Sequence, residues 1–485
     1  RSTPDEFGCH KKRLLSLCSR VKQLGAYLHR FDRLIQYSML PDHPVGTAFD
    51  LHSRLLKMKS PGERDAVWTT LITELWLQES CTLRSLSEWV LKTDLSGLSI
   101  RSALPVARML GWACAVSQEN MRLKCMQALT KILASCPECT PIILDDFLLC
   151  NDAYVVEGVL IAVLGKIQFS VDSYAVDSAQ YIYDKIFRNE TPAWCHITIR
   201  HYARCAIEHV LKNNVVEGIE IKNITPPYKS CLPLDDVPDK EALNNLDSSR
   251  GYGRILHSAL HHDFFWYVMG GTSGGKPFLS TPLPHSREPT RSYDKEDYPS
   301  LGGAKKGIFD IPLAARFVVK NCLDLGWTSN RFDSFDERLA DHFSRIEGYG
   351  RTERIGKKYQ WISWHTMLAF LSDNYTMNPH YRDKQIVYNS PEQIGYVKLF
   401  DPLTWLTHAS YLMPTTAQYF MNIPNLPSWP LPSTSNMKEW ARSSSNDLSP
   451  SDVIQTCPFL PTMWGEGPWL SLYTENAWRQ PAPPG

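Results

Sequence analysis

The sequence lacks a charge excess of either sign. Its 485 residues carry 51 Lys+Arg against 51 Asp+Glu, for a formal net charge of zero and a pI of about 7.3. A general nucleic-acid binder shows a basic surplus, so no direct nucleic-acid partner is expected. Also missing is any uninterrupted apolar run near the roughly 20 residues that a bilayer-crossing helix needs, so no membrane association is expected either. There is no signal peptide, and the chain opens on Arg1 rather than Met, with an RSTPDEFG start unlike a helix N-terminus. A fragment or a processed chain is the expectation. The thirteen cysteines make an odd count, and Cys114, Cys125, Cys205 and Cys322 fall on helical-looking stretches. Without a secretory signal this points to reduced thiols in the cytoplasm, and to chance sequons at Asn189, Asn223 and Asn374.

The remaining composition is that of a globular protein. Hydrophobic residues make up 43% and charged residues 21%, enough for a sizeable core, and the length suggests two or three domains. Residues 1–215 read as a helical-repeat-like array. Ser60-Pro61-Gly62-Glu63 has the form of a capping box, and Val67, Leu71 and Leu75, with Trp68, Ile72 and Trp76 beside them, set an apolar stripe at helical spacing. Met126, Leu129, Ile132 and Leu133 repeat it, as does 172–187, and Thr191-Pro192 opens a further helix to about Lys212. Helices of this length with short polar turns suggest an α-solenoid-like stack without a fixed repeat period.

Residues 216–305 form an irregular connecting segment, broken by Pro226-Pro227, Pro233 and Pro238, with one aromatic helical island at about 250–269. Residues 306–376 return to helical spacing over 312–325 and 334–346, with Ser334-Phe335-Asp336-Glu337 as a second candidate capping box. Residues 377–485 are Pro- and Trp-rich, with Trp405, Trp429, Trp440, Trp464, Trp469 and Trp478 among the prolines. The expected fold class is therefore mainly α: an N-terminal α-solenoid-like array followed by an irregular α(+β) Trp/Pro-rich C-terminal region.

No catalytic residue, cofactor site or metal ligand is assigned. Gly270, Gly275 and Lys276 match part of a phosphate-binding loop, but Pro277 replaces the hydroxyl residue that would hold magnesium, and FLSTPLP cannot continue as the required helix. His201, Cys205 and His209 share a helical face, His257, His261, His262 and Asp263 cluster, and Cys136-Pro137-Glu138-Cys139 is a C-x-x-C without a second pair. A structural zinc site asks for more, so buried side chains in a helical core are expected. Asp145-Asp146 and Asp235-Asp236 read as solvated carboxylates, and no G-x-S-x-G is present.

One stretch mixes basic and aromatic side chains densely: Arg345, Tyr349, Arg351, Arg354, Lys357, Lys358, Trp361 and Trp364. Guanidinium forks and amphipathic rings are common anchors at protein interfaces, which makes these eight candidate contacts. The alternative is a packed helix start whose long stems lie over a core containing Ile355, Tyr359 and Ile362.

The same stretch carries a family resemblance. LGW at Leu325–Trp327, F-x-x-F-D from Phe332 to Asp336, GRTERIGKKYQWI from Gly350 to Ile362 and DNY from Asp373 to Tyr375 together resemble the C-terminal sensor region of Avs (AVAST-type) antiphage STAND NTPases. Upstream, DFFWYVMG from Asp263 to Gly270 is similar to the family's D-F-x-R-Y-V-x-G, with Trp266 in the Arg position. Downstream, GPWLSL from Gly467 to Leu472 is similar to its terminal W-L-x-L pattern. The resemblance spans about 240–480, and over 1–215 rests on helical texture. It implies a non-catalytic, cytoplasmic sensor region that binds a phage protein, the large terminase subunit ahead of the portal. Binding would trigger assembly of the parent protein, a possible homo-oligomer, whose ATP and magnesium would bind in its NTPase part. Two rival functions are a cryptic NTPase or metal-dependent hydrolase, and a scaffold for oligomerisation.

Overall fold

Side-chain caps mark where many of the helices begin. In the computed structural model, Thr47 and Asp50 form a reciprocal capping box, and Asp152, Asp172 and Asp310 each accept a backbone N–H at a helix start. The structure describes residues 24–40, 47–77, 81–212, 214–243, 253–270, 278–292, 307–342, 353–378, 399–402 and 405. These belong to one compact unit, Arg1–Leu406; a second, Thr407–Gly485, lies outside the described residues, as do the expectations for its tryptophans.

The first half runs α1 (Leu24–Ser38), α2 (Ala48–Leu56), α3 (Pro61–Asp65), α4 (Thr69–Leu77), α5 (Thr82–Lys92), α6 (Ile100–Ala113), α7 (Glu119–Ser135), α8 (Cys139–Phe147), α9 (Ala153–Phe169), α10 (Ser173–Ile182) and α11 (Ile197–Leu211). The hub is α9. Its sequence AYVVEGVLIAVLGKIQF is apolar on nearly every side, so it is buried all round, packed between α7 and α11. Outer helices follow the ordinary amphipathic rule: α2 and α8 flank α6, and α10 lies on α8 and α11.

The second half contains α12 (Ile221–Ile224), α13 (Gly253–Leu260), β1 (Phe278–Pro282), α14 (Ile311–Asp324), α15 (Ser329–His342), α16 (Ile355–Asn374) and β2 (Tyr375–Met377). The two strands pair antiparallel, Phe278 opposite Met377 and Pro282 opposite Tyr375, with an irregularity between. The long α16 carries the ERIGKKYQWI sequence and packs on α11, α13, α14 and α15. One continuous core runs from Leu28 to Met377, so α16 and the helices of the first half share it. The fold is mainly α, and no helix among the described residues is long and apolar enough to cross a membrane.

One expected helix start holds in part and two differ from expectation. Ser60 does accept from the Glu63 N–H, but Glu63 returns its carboxylate to the Lys59 N–H, and α3 ends at Asp65 before the chain restarts as α4. Thr191-Pro192 opens no helix; α11 begins at Ile197. Ser334 caps nothing, because Gly326, with φ of +98°, turns the chain early enough for α15 to begin at Ser329.

Candidate functional site

Of the eight basic and aromatic candidates, Arg345, Tyr349 and Arg351 lie outside the described residues. Arg354 and Trp361 are half-buried at the start of α16, and Lys357 is spent on an ion pair with Asp263 at 2.6 Å. Burial pushes the Asp263 carboxyl up, but hydrogen bonds from Lys357 and Ser258 outweigh it and bring the group down to about 2. Lys358 and Trp364 are buried, 0% and 2% exposed, and so are not presented to a partner in this fold. Their positions follow from a helix enclosed by α11, α13, α14 and α15: few faces of α16 remain for solvent.

Lys358 is the centre of a polar junction between the two halves of the chain. Its Nζ donates to both carboxylate oxygens of Asp65 at 3.0 and 2.8 Å and to Asp152 Oδ2 at 3.0 Å. The Tyr359 hydroxyl adds a bond to Asp65 at 2.7 Å, and Thr69 another at 2.5 Å. Asp65 and Asp152, like Lys358, are fully enclosed. Burial drives the Asp65 carboxyl up, Lys358 draws it back, and burial likewise holds the Tyr359 phenol protonated. With its charges paired and hydrogen-bonded, the cluster does what a buried ion network must to survive desolvation. It offers no substrate-facing group.

The other signature residues are also structural. Asp336 accepts from the Ile355 N–H at 2.7 Å, the Gly356 N–H at 3.1 Å and the Trp327 indole at 3.4 Å. It therefore caps α16 from another helix, since Arg354 at the N-cap position supplies no side-chain bond. At the LGW turn, Gly62 N donates to Leu325 O at 2.8 Å, and a Cβ on Gly62 would come within 2.3 Å of Gly326 O. Asp373 pairs with Arg200 at 2.6 Å and accepts from the Tyr228 N–H at 3.0 Å. Asn374 donates to Ser230 O at 2.9 Å, and Tyr375 to Pro289 O at 2.9 Å. The DNY sequence thus ties two irregular loops to the end of α16.

The earlier metal leads do not converge among the described residues. His201 and Cys205 touch at 3.7 Å, and His209 completes no ligand group with them. His257 stacks on His262, and Asp263 belongs to Lys357. The Cys136 and Cys139 sulfurs sit 3.7 Å apart as free thiols, both pushed up by burial. Asp145 and Asp146 are not merely solvated: the first accepts from Tyr181 and the second pairs with Arg108 at 2.7 Å. Gly270 has φ of +96°, the seven residues after it lie outside the described set, and β1 rather than a helix follows them.

A group absent from the sequence reading does converge. Glu157 on α9, His196 at the N-cap of α11 and His365 on α16 bring one potential ligand atom each to within 4.8 Å of one another. Burial and neighbouring positive charge hold both imidazoles neutral: His196 is pushed well below its usual value by burial, His365 and Arg200, and His365 by burial and Arg122 to about 4. The residues are separated by 39 and 169 positions, so no local spacing announces them. No family model, curated protein or solved structure matches the chain.

Proposed function

We propose that this chain is the sensor region of an Avs-type bacterial antiphage STAND NTPase, acting in the cytoplasm without catalysis of its own. It captures a phage protein, the large terminase subunit ahead of the portal, and so triggers assembly of the parent. The observation that carries the reading is the GRTERIGKKYQWI run with its LGW, F-x-x-F-D and DNY companions. Support comes from the use those residues are put to: Trp327, Asp336, Lys358, Asp373 and Asn374 all serve packing, as a recognition scaffold requires. Anchors for a partner then belong on outer faces, where Phe49, Trp89, Leu149, Phe169 and Tyr267 are exposed.

The test is co-expression of the chain with individual phage proteins, followed by affinity capture. Retention of the large terminase subunit is expected; retention of neither terminase nor portal overturns the reading. The rival metal-dependent hydrolase has one observation in its favour, the Glu157–His196–His365 group. Phosphate release from ATP by the isolated chain, lost on Lys276→Ala or on chelation, would establish the rival instead.

A further inference from the structure

We propose that Glu157, His196 and His365 form a binding site for one divalent transition-metal ion, of the zinc class, that bolts α16 to α9 and α11. Thr198, on the first turn of α11, sets the ligand geometry. Its hydroxyl donates to Glu157 Oε2 at 2.6 Å and lies 3.1 Å from His196 Nδ1. A threonine hydroxyl has a single proton, already given to the carboxylate, so Nδ1 must carry the hydrogen and donate to Thr198 Oγ1. That leaves a lone pair on His196 Nε2. This atom is buried, on a residue 1% exposed, and has no hydrogen-bond partner; His365 Nδ1 is likewise buried and unpartnered.

Two orphaned ring nitrogens in the core, on histidines that each bring a ring nitrogen within 4.8 Å of the Glu157 carboxylate, need an explanation, because buried polar atoms are normally satisfied. A metal ion satisfies both at once. The donor set of two imidazoles and one carboxylate is one that zinc accepts, and orientation of a ligating histidine through its other nitrogen is the usual supporting bond. Ligand atoms around a tetrahedral zinc lie about 3.3 Å apart, so the three side chains close inward by small rotations from their present 4.8 Å limit. Water fills the fourth position.

The experiment strips the full chain with a chelator, adds Zn²⁺ or Co²⁺ alone, and counts metal retained after desalting. One ion per chain is expected, with a higher melting temperature and, for cobalt, the visible absorption of a tetrahedral site. His365→Gln should abolish retention, and Thr198→Val should weaken affinity by about 10–100-fold. Cys205→Ser, outside the site, should leave uptake unchanged. Because His196 lies in the core and its variants can misfold, the wild-type titration and the His365 variant decide the matter. A stripped wild-type chain that takes up no ion and shows no thermal shift overturns the proposal, as does full uptake by His365→Gln. Phage-protein capture is a separate readout, so either reading can fail alone.

Discussion

Two buried clusters sit on the same helix, and they are built on opposite plans. Around Lys358, cation and carboxylates face each other and the aromatic hydroxyl adds a further bond to Asp65. Around His365, no cation is supplied from the ring of ligands, and two imidazole nitrogens have no partner. The first cluster is complete within the chain and functions as a joint. The second leaves two ring nitrogens unsatisfied, which is what the proposed metal ion would remedy. The contrast teaches that burial of titratable groups does not by itself distinguish structure from function; the count of satisfied atoms does.

Breaking the first cluster should have the largest effect. Lys358→Met leaves Asp65 and Asp152 buried without their cation, and a loss of about 3–5 kcal/mol is expected in denaturant unfolding. Adding Asp65→Leu and Asp152→Leu should recover much of that loss; no recovery would mean that the lysine matters through packing alone. Gly62→Ala comes next. Its methyl meets the Gly326 backbone, which cannot swing aside, and overpacking of this kind costs typically 1–3 kcal/mol. A melting temperature unchanged by this variant would contradict the close approach of α3 to the LGW turn.

Asp336→Ala removes the remote cap of α16 and should cost about 0.5–2 kcal/mol. This carboxyl also has a pH signature. Burial lifts it to about 6, against the pull of the Gly356 and Ile355 N–H bonds. A raised folded value means that the folded chain holds a proton the unfolded chain has already released. The contribution of Asp336 is therefore full below about pH 4 and declines as pH rises to about 6. Relative to Asp336→Asn, the wild type should lose ground between those limits and run parallel above them. The smallest effect is expected at Tyr267, 75% exposed: Tyr267→Ala should change stability by no more than about 0.5 kcal/mol. Any larger change would place it in a contact rather than on a free face.

The sequence by itself determined the mainly α class, because apolar spacing is local and repeats along one helix. It placed the packed residues of α16 as well: Ile355, Tyr359 and Ile362 are buried as their periodicity required. It also excluded a helix after GGTSGGKP, since Pro277 and the prolines of FLSTPLP forbid one, but the strand found there was not foreseen. Partners joined across long stretches of chain were not legible. Nothing near Asp336 says that it caps a helix beginning at Ile355, and nothing near Lys358 names Asp65 as its counter-ion. Basic residues beside tryptophans read equally as an interface or as a core, and only the enclosure of α16 decided for Lys358 and Trp364. Glu157, His196 and His365 belong to three helices, and their meeting depends on how α9, α11 and α16 pack. Periodicity fixes which face of a helix is apolar; only packing fixes which polar atoms are left facing one another.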